Sequence, residues 1–397
     1  MLLIVNNESP KISRNFRKMY AFKFLGEFYL IAPVLILYYT ANGLNSTQIF
    51  TIQAAFHLSV LLLEVPSGYL ADVIGRRKTL IVAGIFMPLG LAVYTIGRSF
   101  PVFVLAELTL AVSISMRSGC DSALIYDSLS QLGRQGEYKH IEGRAILFTR
   151  TGTALSSVAG GLLATVFLRL PFLLNIFSTL FMLPLALAMV EPEREKCPGK
   201  NPWRDILRIC RFCLSQAQLR PLVLFSGLLM ACQLAGVWAY FLHYRELGIG
   251  VAWFGILFAA FQLAGAWGGS RSHRFCERFG TKPTLFLALL SPIIFICLGL
   301  FPSPWLLFLV PANAFLWNLA YPVLMERLNH AAGSDVRATV LSVAAMAGSV
   351  SFVIISPLFG RLVDAFSLSA AFIALGGFFL LAGAPLLAAM LRHWQEG

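Results

Sequence analysis

Charged residues are scarce in this sequence: they make up 13% of its 397 residues, whereas soluble globular proteins carry about 25%. Hydrophobic residues account for 58%. A chain with so little charge lacks the polar surface of a soluble domain, which excludes an ordinary water-soluble enzyme or binding module. The length leaves room for about twelve membrane-spanning helices of ~20 residues joined by short loops.

Acidic residues are rarer still, 19 against 31 lysines and arginines, which gives a net charge of +12. Most cations fall in loops that we assign to one side of a membrane, so the excess predicts membrane orientation rather than nucleic-acid binding. Both termini are therefore predicted to be cytoplasmic. The loops assigned to the outside carry only Arg98, Arg169, Arg245 and Arg361.

Seven cysteines, an odd number scattered mostly within apolar runs, argue against a disulfide framework. Cys210 and Cys213 form a C-x-x-C with Cys197 upstream, but zinc requires four ligands and no histidine lies nearby, so we expect ordinary thiols.

Residues 1–18 are polar and predict no cleavable signal peptide. Because no nucleotide-binding glycine loop, Ser/His/Asp arrangement or metal cluster is recognisable, we expect no enzyme activity, cofactor or metal.

One motif stands out: Gly68-x-x-x-Asp72-x-x-Gly75-Arg76-Arg77-Lys78 lies between two apolar runs. Gly75 permits a tight turn, and the cations hold the loop on the cytoplasmic side. The motif resembles the signature loop between the second and third helices of the major facilitator superfamily. This resemblance implies an all-α membrane protein with twelve transmembrane helices in two six-helix halves around a central cavity.

The apolar runs predict the individual spans, with the fifth beginning at about Ile141 and Ser46 or Thr47 capping the second. Residues 191–220 alternate basic with apolar side chains and predict an amphipathic linker on the inner membrane surface. The linker separates an N-terminal half, 1–190, from a C-terminal half, 221–397. The other spans are predicted at 19–40, 46–71, 79–97, 101–127, 171–190, 221–242, 251–268, 284–301, 304–325, 338–360 and 368–391.

A repeat relates the two halves. Gly75–Leu80 is echoed by Gly280–Leu285, and two further pairs of polar residues recur at similar separations. The block from Asn329 to Ser342 also resembles the beginning of span 11 in bacterial drug-exporter-like members. The recurring pairs are Asp127 with Glu326 and Arg144 with Arg337.

Charges inside the predicted spans cost at least ~2.5–3.5 kcal/mol each at the bilayer centre, so each needs a partner or a function. Glu27 lies about 12 Å into span 1, where apolar neighbours favour the neutral carboxyl. It is the predicted carboxylate that binds a proton or recognises a cation; the alternative is a structural hydrogen bond to a neighbouring helix. The predicted proton-coupling or substrate residues are Glu27, Glu64, Arg117, Asp121 and Arg150.

The other members of this set have several possible roles. Arg117 and Asp121 are four residues apart and are predicted to form a structural salt bridge on one helical face. Arg150 could balance Glu27 or bind an anionic group. Glu64, two residues before Pro66, could be a second protonation site or a packing contact.

Spans 7 to 12 hold almost no charge away from their ends but offer amide and aromatic side chains. We therefore predict a mainly apolar cavity wall in the C-terminal half. The residues assigned to this wall are Gln233, Trp238, Gln262, Asn313 and Trp317.

The resemblance also implies a gate. Asp72 would lie at the N-terminus of span 11, near Arg337, where the positive end of the helix favours a carboxylate, and Arg76 would meet Asp127. The implied gate residues are Asp72, Gly75, Arg76, Arg77, Asp127 and Arg337.

Two departures weaken the resemblance to antiporter-type members. Ser156-Ser157 stand where a Gly-Pro is expected in span 5, although Gly152 and Gly160-Gly161 match. Arg117 is only two residues before Gly119, so the arginine motif of span 4 is displaced.

We predict a monomeric secondary transporter of the bacterial inner membrane that exports amphipathic small molecules in exchange for protons. Drug-like compounds, or a secreted metabolite such as a siderophore, are the expected substrates. One alternative is an importer or uniporter of a polar metabolite. A second is a membrane receptor or assembly factor that does not transport.

Overall fold

A computed structural model describes residues 9–193, 202–332 and 337–392. These residues form seventeen α-helices and short 3₁₀ turns, with no strand among them. The helices are α1 Ser9–Glu27, α2 Leu35–Ala41, α3 Ser46–Ile74, α4 Arg76–Ile96, α5 Phe100–Arg117, α6 Cys120–Gln131, α7 Tyr138–Ala164, α8 Leu170–Leu180, α9 Met182–Ala188, α10 Pro202–Ser215, α11 Leu219–Glu246, α12 Val251–Phe279, α13 Thr281–Phe286, α14 Leu290–Leu300, α15 Leu309–Ala331, α16 Arg337–Ala365 and α17 Leu368–Arg392.

Within the described ranges, eleven helical segments are long and apolar enough to cross a membrane. The remaining predicted span corresponds to α7, which has 27 residues and is long enough at ~1.5 Å per residue. Its first half carries Lys139, Glu142, Arg144 and Arg150, and these charges lower its apolar character. The predicted all-helical membrane architecture is confirmed.

Several predicted spans are interrupted rather than continuous, and span 9 divides into α13, a 3₁₀ turn at Leu287–Leu289 and α14. Span 1 divides into α1, a 3₁₀ turn at Ala32–Val34 and α2. Span 4 divides into α5 and α6 because Gly119 adopts a left-handed φ of 69°. Span 6 divides into α8 and α9 at Phe181. The spans predicted over 19–40, 101–127 and 171–190 correspond to segments long and apolar enough to cross a membrane, but none of them is one unbroken helix.

The chain divides into two compact units. Unit 1 comprises Met1–Tyr38 and Ser59–Lys200, and unit 2 comprises Tyr39–Leu58 and Asn201–Gly397. The first part of α3 therefore groups with unit 2. The division into halves at 190 and 221 remains a prediction, and residues 194–201 of the predicted linker lie outside the described ranges.

Aromatic side chains pack together in the unit 1 core. Tyr38 packs on Phe172 with ring centroids 4.2 Å apart and donates a hydrogen bond to the Tyr94 carbonyl at 3.1 Å. These three rings are almost fully buried. Glycine permits a close approach between α1 and α7, since a Cβ at Gly152 would lie 2.8 Å from the Phe24 carbonyl oxygen. Unit 1 therefore packs its broken span 1 closely against α7.

The start of α3 is held in unit 2 by two devices. Asn45 and Gln48 exchange hydrogen bonds with each other's backbone N–H at 2.9 and 3.2 Å, which is a capping box. Asp364 accepts hydrogen bonds from the backbone N–H groups of Ser46 and Thr47 at 2.9 and 2.7 Å. The predicted side-chain cap by Ser46 or Thr47 is therefore replaced by Asn45 and a carboxylate from α16.

The C-x-x-C motif lies on α10 and packs within unit 2. Cys213 is fully buried in an apolar cluster that Cys210 also contacts. Burial raises the pKa of both thiols, which keeps them protonated and poorly reactive at neutral pH. This packing supports the interpretation of ordinary thiols. Cys197 lies outside the described residues.

Candidate functional site

A partly buried ion pair joins two interrupted spans of unit 1. Glu27 is the last residue of α1 and Arg117 is the last residue of α5. Arg117 Nη2 donates to Glu27 Oε1 at 2.6 Å, with the two side chains 13% and 37% exposed. The pair therefore lies at a helix break in both spans, with the carboxylate accessible and the guanidinium mostly covered.

The approach of Arg117 to α1 depends on a glycine. A Cβ at Gly26 would clash with Arg117 Nη1 and would lie 3.4 Å from the Met182 methyl group. Met182 begins α9 directly after the break in span 6. Three helix interruptions thus converge on Gly26 and Glu27, which we name the junction.

The break after Glu27 leaves backbone groups to be satisfied. Asn175, fully buried on α8, donates from Nδ2 to the Phe28 carbonyl at 2.8 Å. Irregular backbone inside a membrane is tolerated where protein groups satisfy it or where it lines a cavity, and broken helices form ion and substrate sites in transporters. The junction has this construction.

The predicted ion pair between Arg117 and Asp121 is wrong. The left-handed Gly119 ends α5 after Arg117, so the four-residue spacing is not helical. Asp121 instead contacts Lys23, with Nζ and Oδ2 3.4 Å apart. Arg117 instead pairs with Glu27, which the sequence analysis had considered as a possible partner of Arg150.

A second charged group surrounds Lys23, which is only 6% exposed. Lys23 Nζ lies 2.7 Å from Glu142 Oε1 and 3.0 Å from Ser122 Oγ. With Asp121, this set joins α1, α6 and α7, and we name it the lysine cluster. Sequence reasoning missed Lys23 and Glu142, although a lysine inside an apolar run was an available signal.

Two predicted residues stand apart from these groups. Arg150 on α7 and Glu64 on α3 are both exposed, and neither side chain has an ion pair among the described residues. Arg150 therefore does not balance Glu27 in this structure. Their roles in coupling or substrate binding remain predictions.

The signature loop of unit 1 is held by the turn at Gly75 and by ion pairs of Arg76. Gly75 adopts a φ of 110°, which a residue with a side chain would rarely tolerate. Arg76 Nη1 lies 2.9 Å from Asp72 Oδ1, and Arg76 Nε lies 3.5 Å from Asp127 Oδ2. The predicted meeting of Arg76 with Asp127 is therefore present.

Glu191 is a further anchor of this loop that sequence reasoning missed. Its carboxylate accepts hydrogen bonds from the backbone N–H groups of Arg76 and Arg77, each at 2.7 Å. A carboxylate at this position complements the positive N-terminal end of α4. Arg77 also donates from Nη2 to the Leu187 carbonyl at 2.6 Å. The available signal was an acid directly after the last apolar residues of span 6.

Arg337 is exposed on unit 2 and donates from Nε to the Asn329 carbonyl at 3.1 Å. Asp72 belongs to unit 1 and Arg337 to unit 2. The proposed approach of these residues therefore remains a prediction.

Unit 2 contains a neutral polar network. Asn313 Nδ2 donates to Tyr240 Oη at 2.5 Å, and Gln233 Nε2 donates to Asn313 Oδ1 at 3.3 Å and to Ser291 Oγ at 2.9 Å. Gln233 and Asn313 are buried, so the network joins α11, α14 and α15. The role of both amides in a cavity wall remains a prediction.

The remaining residues assigned to that wall are half-buried on their helices. The rings of Trp317 and Tyr321 have centroids 5.2 Å apart, and those of Trp238 and Phe241 lie 6.4 Å apart. Gln262 is also half-buried. Within the described ranges, no three His, Cys, Asp or Glu side chains are placed to hold a metal ion.

The comparisons with known proteins agree with this arrangement. The chain is 23% identical over 363 residues to the uncharacterized MFS-type transporter YxaM of Bacillus subtilis, covering 89% of this chain and 90% of YxaM. It is 27% identical over 143 residues to the quinolone resistance protein NorA of Staphylococcus aureus, covering 36% of each.

Solved structures show the same fold at low identity. The nucleoside transporter NupG superposes with a TM-score of 0.78 at 12% identity, covering 98% of this chain and 100% of NupG. A bacterial homolog of human Spinster gives 0.74 at 16% identity, covering 99% and 100%. The family model described as Major Facilitator Superfamily matches residues 20–354. This chain, a multi-pass membrane protein with transporter relatives, belongs to the Major Facilitator Superfamily.

Proposed function

We propose that this transporter exports amphipathic small molecules across the bacterial inner membrane as a monomer, in exchange for protons. Drug-like compounds or a secreted metabolite such as a siderophore are the proposed substrates. The observation that carries the proposal is the Glu27–Arg117 pair, 2.6 Å apart at the junction of interrupted helices. Protonation of the carboxylate in such a pair would weaken the contact between the two helix ends.

The proposed coupling follows from charge. An ionised Glu27 holds the Arg117 guanidinium and so ties the end of α1 to the end of α5. Protonation of Glu27 removes the negative charge and weakens this tie. Because Glu27 is 37% exposed, its carboxyl can exchange protons with water, and the movement of the helix ends would then follow its protonation.

The gate is proposed to be the signature loop. Arg76 bridges Asp72 and Asp127, and Glu191 fixes the backbone that follows Gly75. Asp72 is 49% exposed, which leaves its carboxylate able to exchange Arg76 for another partner. We propose that the N-terminal end of α16, near Arg337, is that partner in one state of the transport cycle.

Export is supported by the likeness to a relative named for quinolone resistance. The named activities of NupG and of the peptide transporters of similar fold do not bear on direction here, because identities of 12–17% indicate fold alone. The displaced Arg117 is compatible with coupling, since it reaches a carboxylate in span 1.

Orientation follows from the distribution of cations, and both termini are proposed to be cytoplasmic. We expect tags placed at Ser9, between residues 196 and 200, and after Gly397 all to be protected from externally added protease in intact cells. A permeabilised sample provides the control for tag accessibility. Exposure of any one tag in intact cells would contradict the proposed topology.

Transport in proteoliposomes tests the function. We expect wild-type protein to accumulate a fluorescent quinolone against its gradient when a pH gradient is imposed, and to lose this accumulation when a protonophore is added. Equilibration without accumulation would instead indicate a uniporter. Absence of movement for a broad panel of amphipathic and polar compounds would indicate a receptor or assembly factor.

A further inference from the structure

Unit 1 contains a cleft of about 750 Å³ between the first turns of α7 and the middle of α1. Its floor is aromatic: the Tyr20 and Phe148 rings stack with centroids 5.3 Å apart and planes 11° apart. Phe148 is 39% exposed, so part of its ring remains available to a ligand. A volume of this size with an aromatic lining is typical of small-molecule sites.

The rim of this cleft is basic. Arg17 and Arg144 line it and are exposed, and neither has a carboxylate partner among the described residues. The Arg144 guanidinium lies 5.7 Å from the centre of the Tyr20 ring, which orients it while leaving its N–H donors for another acceptor. Arg134, by contrast, is paired with Glu137 at 2.6 and 2.7 Å. The cleft therefore keeps an excess of positive charge.

A cleft of similar volume, about 740 Å³, lies in unit 2 and provides an internal comparison. Its lining includes one carboxylate, Glu326, and one guanidinium, Arg337. Glu326 lies 4.0 Å from His330. The charges of this second cleft are balanced, so the positive excess belongs to the cleft of unit 1 and does not simply follow from the basic composition of the chain.

We propose that the unit 1 cleft binds an organic anion that carries an apolar, preferably planar, body. The anionic group would accept charge-assisted hydrogen bonds from Arg17 and Arg144, and the body would lie against Phe148 and Tyr20. This site goes beyond the proposed export function, because it depends on neither the direction of transport nor its coupling to protons. A soluble aromatic acid and an anionic phospholipid share the required chemistry.

Binding is measured with 2-naphthalenesulfonate on purified full-length protein in nanodiscs of phosphatidylcholine, by isothermal titration calorimetry. Inorganic sulfate supplies the charge without the body, and 2-naphthylmethylammonium supplies the body with the opposite charge. We expect the sulfonate to bind at least about tenfold more tightly than either control ligand, a difference of ~1.4 kcal/mol.

Variants locate the site. Arg17→Gln combined with Arg144→Gln should weaken sulfonate binding by about tenfold or more, because the charge-assisted hydrogen-bond donors of the cleft are lost. Phe148→Leu should weaken it by a smaller factor, about threefold, because only the ring contact is reduced. Arg98→Gln, which removes an exposed arginine outside the cleft, is the matched control and should bind as wild type does.

The lipid composition of the nanodiscs distinguishes between the two possible sources of the anion, a soluble acid and a phospholipid headgroup. If nanodiscs containing phosphatidylglycerol abolish sulfonate binding to wild type, the cleft is a headgroup site; if binding persists, it takes a soluble anion. Either result supports the site. Equal sulfonate affinity in wild type and the folded double-arginine variant, or equal affinity for the naphthyl cation, would overturn it. Because no pH gradient is used, loss of transport with retained sulfonate binding would count against the export proposal alone.

Discussion

The two units differ in the charge of the polar contacts between their helices. Unit 1 includes full charges among the polar contacts between its helices, at the junction and in the lysine cluster, beside neutral contacts such as that of Asn175 with the Phe28 carbonyl. In unit 2, the buried network of Gln233, Asn313 and Tyr240 is neutral, and the carboxylate of Asp364 lies at the exposed start of α3. Neutral amides fix helix positions without responding to pH, whereas carboxylates can change charge. The proposed proton coupling at Glu27 therefore uses a charged contact of a kind that the unit 2 network does not contain.

The largest effect should come from the lysine cluster. Lys23→Met leaves Asp121 and Glu142 without their cation in a mostly buried site, and removal of one partner from a buried pair costs ~3–5 kcal/mol. We expect a marked fall in thermal stability in detergent.

The exposed Lys78 of the same unit is the matched control, and Lys78→Met should change stability by no more than ~0.5 kcal/mol. A Lys23→Met protein as stable as wild type at neutral pH would show that the cluster is not held by its charges.

Disruption of the unit 2 network should lower stability by a smaller amount. Asn313→Leu removes the acceptor of Gln233 and the donor to Tyr240, and an unsatisfied buried group costs ~1–3 kcal/mol. Thermal unfolding measured in the same detergent at neutral pH checks this. A loss of stability for Asn313→Leu as large as that for Lys23→Met would remove the contrast between the units.

The gate should affect function more than stability. Asp72→Asn removes an i,i+4 ion pair whose carboxylate is 49% exposed, which contributes at most ~1 kcal/mol. We expect impaired transport in a protein that folds and inserts normally, with altered accessibility of introduced cavity cysteines to a thiol reagent. Unchanged transport together with unchanged labelling would exclude Asp72 from the gate.

Much of the architecture could be predicted from sequence because length and hydropathy determine which segments cross a membrane. The turn at Gly75 and the contact of Arg76 with Asp127 followed from local spacing and from the family pattern. The break after Glu27 was not predicted, although Gly26 precedes it and Pro33, which cannot donate a helical hydrogen bond, follows it. It is stabilised by Asn175 from a distant helix.

The pairing of charges was the least predictable feature. Arg117 was assigned to Asp121 by helical spacing, but the left-handed Gly119 interrupts the helix between them. Glu191 anchors the signature loop by accepting a hydrogen bond from Arg77, which lies 114 residues away in sequence. Such contacts depend on tertiary packing, which neither periodicity nor composition of a single sequence contains.

The central claim is tested most directly by measuring proton movement during transport in wild type and in the Glu27→Gln variant. A pH-sensitive dye trapped in proteoliposomes would report proton flux when a quinolone gradient is applied. We expect a substrate-dependent pH change with wild type and none with Glu27→Gln, which should still bind substrate within about tenfold, or ~1.4 kcal/mol. Glutamine retains hydrogen bonding to Arg117 but cannot release a proton. An undiminished pH change in Glu27→Gln would contradict coupling at the junction and direct attention to Glu64 and Asp121.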